Sequence, residues 1–303
     1  MSVMTVKELT KKYGSFTAVD KISFEVEKGE LIGFLGVNGA GKSTTVNMLS
    51  ALIPFDGGSA EVCGCTLGKD DMEIRRKIGI VYQQNCLDEL LTVKENLICR
   101  GILHGISRSQ AKKRLEELCD ILSMEDILNK RYKILSGGQK RRCEIAAALM
   151  HTPELLFLDE PTTGLDPATR RDVWNTVETL RKNTGMTVFL TTHYMEEAAA
   201  ANRIIIINSG KIIARGTPFE LKEQYARDKI RLCCDAENRE RIKALPELSG
   251  IETVDEDSGL AFSVKNMMDA LPIINAAQGY IMGFEAIQGN MDDVFLNACG
   301  GNE

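Results

Sequence analysis

Gly36-Val37-Asn38-Gly39-Ala40-Gly41-Lys42-Ser43 sets a glycine, four free positions, a second glycine, a lysine and a hydroxyl residue in a row. In a loop of this pattern, backbone N–H groups cradle the β- and γ-phosphates of a nucleotide while the lysine reaches the same oxygens. The pattern predicts a chain that handles a nucleoside triphosphate. It carries that meaning only between a strand and a helix, because the mechanism aims a helix N-terminus at the phosphates.

The flanks supply that context. Leu31-Ile32-Gly33-Phe34-Leu35 is a short apolar run suited to a buried strand, and Val46, Leu49 and Ile53 follow Lys42 at helical spacing. Upstream, residues 1 to about 30 alternate in short bursts such as Ile22-Ser23-Phe24-Glu25-Val26, with turn signals at Tyr13-Gly14-Ser15 and Lys28-Gly29-Glu30, which reads as an antiparallel β lead-in. Downstream, from about 87 to 134, Leu90, Val93 and Leu97 and then Leu115, Leu118, Ile121 and Leu122 recur at three- and four-residue spacing, which reads as a helical insert. Strands and helices alternate after it: 155–158, a helix around 170–183, then Thr187-Val188-Phe189-Leu190-Thr191. Such alternation implies a mostly parallel sheet covered by helices. A hairpin is expected across Asn208-Ser209-Gly210, followed by a break at Gly216-Thr217-Pro218.

Beyond about Ala226 the pattern changes. Strands are expected at 230–233, 251–254, 260–264 and 280–285, and helices near 237–244 and 266–277, which is the split βαβ order of a small α+β domain. The expected division is therefore an α/β phosphate-loop domain over 1–225, with the insert at about 87–134, and a small α+β domain over 226–303.

Composition bounds the function. A 303-residue chain with 44% hydrophobic residues fills two cores, and a net charge of −6 gives no general pull toward nucleic acid. Lys140-Arg141-Arg142 is the densest basic cluster and is expected to be a solvated helix face. No stretch reaches the ~20 apolar residues of a membrane span, and the first residues lack a signal-peptide core, so a cytoplasmic chain is expected. Nine cysteines without a Cys-x-x-Cys pair read as free, mostly buried thiols.

Two further stretches carry chemistry. Asp159 follows four apolar residues and so ends a buried strand, with Glu160 next to it. In phosphate-loop enzymes an Asp so placed helps hold Mg²⁺ together with the loop hydroxyl, here Ser43, and an adjacent acid polarises the attacking water. Leu135-Ser136-Gly137-Gly138-Gln139 places a capping serine before the helix that continues through Ile145, Ala146 and Leu149, with two glycines that leave its N-terminus open to an anion.

Taken together, these residues resemble the ATP-binding subunit of an ABC transporter over residues 1 to about 220: Gly36 to Thr44 as Walker A, Leu135 to Gln139 as the signature, and 155–160 as Walker B. The resemblance implies an A-loop role for Tyr13, stacking on adenine. Gln83 is similar to the Q-loop residue that senses Mg²⁺ and the membrane partner, with Gln84 as the alternative. Gly164-Leu165-Asp166 is similar to the D-loop, and His193 to the switch histidine at the γ-phosphate. His104 and His151 have no place in the pattern. Val37 stands where the family often has proline, and Ala200-Ala201-Asn202-Arg203 is plainer than the family's usual stretch; neither touches the phosphate chemistry.

The resemblance also implies that each ATP lies between Walker A of one copy and the signature of another, in a homodimer or a paired ATPase assembly. It implies ATP and Mg²⁺ as cofactors, a permease on a separate chain, and a place on the inner face of the cell membrane. The helical insert is the natural contact for that permease. The closing segment Asn290-Met291-Asp292-Asp293-Val294-Phe295-Leu296 is similar to that of drug- and antibiotic-efflux ATPases of the daunorubicin-resistance type, which favours export. The alternatives are an ABC ATPase acting on a ribosome or nucleic-acid complex, which would carry two ATPase units or long coiled-coil insertions, and a non-catalytic binding module. Intact Lys42, Asp159, Glu160 and His193 argue against the latter.

Overall fold

The computed structural model describes residues 2–251 and 253–300, and the chain divides into two compact units at Arg215/Gly216. Glu252, inside the strand expected at 251–254, lies outside the described residues, as do Met1 and 301–303 at the ends of the two expected domains.

The first unit begins with β1 (Ser2–Tyr13) and β2 (Phe16–Glu27), an antiparallel hairpin in which burial alternates along the second half of β2, while register shifts interrupt the alternation in β1. Next come β3 (Leu31–Leu35), α1 (Lys42–Leu49), β4 (Gly57–Val62), β5 (Cys65–Thr66), α2 (Asp71–Lys77) and β6 (Ile78–Val81). β4 pairs with β1, and β5 with β4, completing a four-stranded antiparallel sheet. α1 is shorter than the expected pattern, since it ends before Ser50 and leaves Ile53 outside it.

The helical layer follows as α3 (Val93–Leu103), α4 (Arg108–Leu122) and α5 (Gly137–Leu149). Thr92 with Glu95 and Ser107 with Gln110 close reciprocal caps on α3 and α4, and α4 buries Ala111, Leu115, Leu118, Cys119 and Leu122 along one stripe. Helix starts at 93, not 87, because Asp88 and Asn96 tie the preceding residues into a turn that leaves Leu90 exposed.

β7 (Leu155–Asp159), α6 (Pro167–Thr184), β8 (Thr187–Thr192), α7 (Met195–Ala198), β9 (Arg203–Asn208) and β10 (Lys211–Gly216) complete the unit. The central sheet has the order β10-β9-β3-β8-β7-β6, with β9, β3, β8, β7 and β6 parallel. Every residue of β3, β7 and β8 is buried, as continuous apolar runs covered on both faces must be. Phe24 of β2 packs on Phe34 and Phe189, and Phe157 on Phe189, so aromatic rings join the two sheets into one core. The carboxyl ends of β3, β8 and β7 lie side by side, with Leu35 opposite Thr192 and Asp159 opposite Thr191; that edge is where an open α/β sheet takes its ligand.

The second unit contains α8 (Pro218–Tyr225), β11 (Asp228–Cys233), α9 (Ala236–Lys243), β12 (Thr253–Glu256), β13 (Gly259–Val264), α10 (Ala270–Ala277), β14 (Gly283–Ile287) and α11 (Met291–Gly300). Its sheet runs β12-β13-β11-β14 with every pairing antiparallel, which is the split βαβ arrangement, and Ile230, Leu232, Phe262 and Ile273 sit in its core. The division falls ten residues before the expected 225/226. α8 packs on α11, and Asn297 Nδ2 donates to Tyr225 O at 2.6 Å, so α8 belongs with the second core.

All nine cysteines are free, and burial pushes the Cys63 and Cys143 thiols up to about 12, which leaves them unreactive. His151, just past α5, stacks on His104 at the end of α3 with ring centroids 3.9 Å apart. Burial, and then the neighbouring His104, pushes His151 down to about 4 from an ordinary 6.5. The unfolded chain therefore takes up a proton in a window where the folded chain does not. Its contribution to stability is complete above the ordinary imidazole value and falls as pH drops toward about 4, by roughly 1–2 kcal/mol after solvent screening. Urea melts from pH 7 to 4.5 are expected to lose stability less steeply in His151→Gln than in the wild type; equal slopes would remove this histidine from the account.

Candidate functional site

The loop at 36–43 delivers α1 with a bare N-terminus. Gly41 adopts φ +107, and a Cβ there would lie 2.6 Å from Ala18 O, so only glycine turns the chain into the helix at this point. No side chain caps α1 and no acid stands in its first turn, whereas α3, α4, α5, α6 and α8 are each capped by a side chain. The first N–H groups of α1 are thus directed outward for an anion.

Lys42 is buried, and its Nζ donates to Gly36 O at 2.7 Å and Val37 O at 3.2 Å while pairing with Glu160 Oε1 at 3.2 Å. A buried ammonium is tolerable only in such company. Ser43 Oγ donates to Asp159 Oδ1 at 3.3 Å, and Thr191 Oγ1 donates to the same oxygen.

Glu160 is where these groups converge. Its backbone has φ +47, a left-handed conformation that costs a non-glycine residue roughly 1–3 kcal/mol. Several bonds hold it there: its N–H donates to Thr191 O at 3.0 Å and Thr191 Oγ1 at 3.1 Å, and Arg141 Nη2 donates to its carbonyl at 3.2 Å. The kink turns the carboxylate off the line of β7 toward Lys42. Glu160 Oε2 accepts from Gln83 Nε2 at 3.3 Å and Thr163 Oγ1 at 3.1 Å, and it lies 3.2 Å from His193 Nδ1. That contact assigns the hydrogen to Nδ1.

Tyr13, Asn38, Gly39, Gly41, Lys42, Ser43, Thr44, Gln83 and Glu160, all expected site residues, line one open cleft of about 450 Å³ together with Phe16 and Ala18. Gly36 supplies a carbonyl to Lys42 from behind, Ala40 is buried under the loop, and Asp159 and His193 reach the cleft through Ser43 and Glu160. Gln84 makes no contact with Glu160 among the described bonds, which leaves Gln83 as the residue at the cleft.

Ser136, Gly137, Gly138, Gln139 and Asp166 do not line this cleft. Ser136 Oγ accepts from Gln139 N at 3.3 Å and Gln139 Oε1 accepts from Ser136 N at 3.1 Å, so the N-terminus of α5 is closed by its own side chains rather than left open by its glycines. Asp166 caps α6, accepting from Ala168 N and Thr169 N, and its bonds to the Thr169 hydroxyl and amide hold its carboxyl below the usual range. A Cβ on Gly138 would stand 2.4 Å from Thr169 Cγ2. Gly138→Ala is expected to cost about 1–3 kcal/mol, read by chemical denaturation, and Thr169→Ser, which removes the opposing methyl, to recover most of it. If the double variant is no more stable than Gly138→Ala, the contact is not the cause.

One expectation is corrected. Arg141 is not on a solvated face: it is 4% exposed, and its guanidinium donates to the carbonyls of Tyr82, Gln83 and Glu160. Burial lowers its pKa, with the Glu144 carboxylate opposing. Helical period puts Arg141 on the same side as the buried Glu144 and Ile145, away from Arg142. Sequence reasoning also missed Phe16, Thr163 and Thr191. Only Phe16 had a signal, since a hairpin turn at Gly14-Ser15 sets it opposite Tyr13.

Comparison with known proteins bears on this geometry. Residues 19–163 match the ABC transporter family, and 216–299 match the DrrA1-3-like ATP-binding protein C-terminal domain. The chain is 38% identical to the linearmycin resistance ATP-binding protein LnrL of Bacillus subtilis, with 98% of each chain covered. It is 40% identical to the daunorubicin/doxorubicin resistance ATP-binding protein DrrA of Streptomyces peucetius, covering 96% of this chain and 91% of that one. Among solved structures it resembles cbiO1 of Clostridium perfringens, part of the transporter complex cbiONQ, with TM-score 0.68 and 27% identity over 73% of this chain and 90% of that one. It also resembles the dimeric ATP-binding cassette MJ0796 bound to ADP and Pi, with TM-score 0.63 and 30% identity over 71% of this chain and 98% of that one.

Proposed function

We infer that this chain, which belongs to the ABC transporter ATP-binding proteins with a DrrA-type C-terminal domain, drives export of a drug, antibiotic or other small molecule through a permease on a separate chain. It is an ATP-binding and ATP-hydrolysing subunit. The observation that carries the catalytic reading is the position of Glu160, held against the phosphate-loop lysine by a kinked backbone and ringed by Gln83, Thr163 and His193.

In this reading the loop amides and Lys42 take the β- and γ-phosphates, and adenine stacks on Tyr13 at the mouth of the cleft. An arriving phosphate competes with Glu160 for Lys42, so nucleotide binding frees the carboxylate to orient the attacking water. His193 Nδ1 holds that carboxylate in place, leaving Nε2 for the γ-phosphate. Ser43 Oγ and Asp159 Oδ1, 3.3 Å apart, are hard oxygen donors of the kind that suits Mg²⁺ beside phosphate oxygens. Mg²⁺ bound there neutralises phosphate charge. The expected signature residues Ser136 and Gly138 serve the cleft of a second copy, after Ser136 Oγ gives up its bond to Gln139 N.

Among the described residues no helix is long and apolar enough to cross a membrane. The transport path therefore belongs, in this reading, to the permease, with this chain at the cytoplasmic face. The relatives' names, resistance to linearmycin and to daunorubicin or doxorubicin, support a drug or antibiotic as the cargo. The test is intracellular accumulation of daunorubicin in cells expressing this chain together with a polytopic membrane protein shown to co-purify with it. Wild type should hold the level several-fold below that of Lys42→Ala. Equal accumulation, with ATPase activity intact, would reject the cargo while leaving the enzyme in place.

A further inference from the structure

The parallel ladder between β6 and β7 ends at Val81 opposite Leu158, and beyond it the chain leaves both strands at the edge that carries the nucleotide cleft. Past that point the carbonyls of Tyr82, Gln83 and Glu160 need other donors, because an acceptor buried without one costs free energy. One side chain serves all three. Arg141 of α5 is buried; its Nη1 donates to Tyr82 O at 2.5 Å, and its Nη2 is shared between Gln83 O at 3.4 Å and Glu160 O at 3.2 Å.

The shared nitrogen ties together two residues that already meet through their side chains, since Gln83 Nε2 donates to Glu160 Oε2 at 3.3 Å. A displacement of Arg141 therefore shifts the Glu160 backbone and one of the donors to its carboxylate at once. Glu160 is sensitive to such a shift, because its φ of +47 persists only while its surroundings hold it.

Glu144, one turn further along α5, grips the other end of the same loop. It is buried, and its Oε1 accepts from Cys86 N at 2.8 Å, Leu87 N at 3.1 Å and Tyr132 Oη at 2.8 Å. A buried cation and a buried anion on one helix thus take the carbonyls at 82–83 and the amides at 86–87, the group that each can bind. The loop carrying Gln83 is fastened to α5 at both ends, and α5 itself begins at Ser136.

We propose that Arg141 is a positioning residue for hydrolysis: it sets the Glu160 carboxylate, through that residue's own carbonyl and through Gln83, and so ties the general base to α5. This role rests on the reading of Glu160 as the base. Lysine cannot fill it, because it offers one nitrogen on a flexible stem where the planar fork reaches three carbonyls on two segments. Misplacing a catalytic group by about 1 Å costs up to roughly 10²-fold in rate. Lys42 and Ser43, which take the phosphates in this reading, bond to Gly36, Val37, Glu160 and Asp159 and not to Arg141 among the described bonds.

In the full-length protein, Arg141→Lys is expected to lower kcat by roughly tenfold or more, while ATP affinity measured by calorimetry stays within about threefold. A double-variant cycle separates positioning from a merely structural part. In Glu160→Gln, which lacks the group to be positioned, adding Arg141→Lys should lower the residual rate by less than about threefold. Arg141→Gln, which drops the buried charge but keeps a donor, is read in the same way, so poor folding of one variant does not decide the matter. Wild-type kcat in either Arg141 variant, ATP affinity lost in step with the rate, or the whole loss persisting on top of a slow Glu160→Gln would each overturn this role and leave the base standing. A Glu160→Gln that hydrolyses at the wild-type rate would overturn the base assignment, and this role with it.

Discussion

Glu160→Gln is expected to lower the ATPase rate by about 10²–10⁴-fold, the range for losing a positioned general base, while ATP affinity changes little or improves. The geometry accounts for both halves. Glu160 Oε2 is already held by Gln83, Thr163 and His193, so the amide keeps the shape of the network and loses only its charge and basicity. Glu160 Oε1 lies 3.2 Å from Lys42 Nζ, the group that the γ-phosphate needs, and neutralising the carboxylate removes a competitor for that lysine. Phosphate release at saturating ATP and calorimetric titration with ATP separate the two effects. A variant hydrolysing at the wild-type rate would show that the base lies elsewhere.

Lys42→Ala is expected to weaken ATP by about 10²-fold or more, because truncating one member of a buried charge pair costs roughly 2–5 kcal/mol and the remaining carboxylate then faces the phosphates directly. This second cause makes the effect divisible. In Lys42→Ala/Glu160→Gln the repelling charge is gone, and affinity should recover by about tenfold relative to Lys42→Ala, half the loss or less on the scale of one charged interaction. Calorimetry on the four proteins gives the coupling. Additive effects would mean that the 3.2 Å pair does not govern nucleotide binding.

Much of this was legible in the chain itself, and the reasons are specific. Leu31–Leu35 and the runs 155–158 and 187–191 read as strands because a parallel strand buried on both faces is a near-continuous run of apolar and β-branched residues; the structure extends the last two by one residue each, to Asp159 and Thr192. The order of elements after 226 was legible in part for the same kind of reason, since β11 and β13 carry short apolar runs, whereas β12 and β14 have no buried residue and lie two to three residues later than the expected 251–254 and 280–285. What was not legible lies in tertiary closure. Nothing local to Arg141 says that its guanidinium turns inward to collect three carbonyls, because Arg142 beside it has the same composition and faces Leu122 and Ser123 instead. Glu160 was named as a base from its neighbour Asp159, but its left-handed backbone depends on Thr191, a residue 31 positions away on the adjacent strand. The boundary between the units shifted because α8 finds its partner only at α11, near the other end of the unit.

The account rests on each ATP being held by Lys42 of one copy and Ser136 of another, and the mass of the ATP-bound protein tests it most directly. Glu160→Gln, expected to bind ATP and hydrolyse it only slowly, should sediment with Mg²⁺ and ATP at about twice the 33.5 kDa of a single chain. With ADP it should return to a single chain, and adding Ser136→Arg should abolish the ATP-dependent pair while leaving ATP bound. A Glu160→Gln protein that binds ATP and stays a monomer, or a pair that forms equally well with Ser136→Arg, would contradict the composite site.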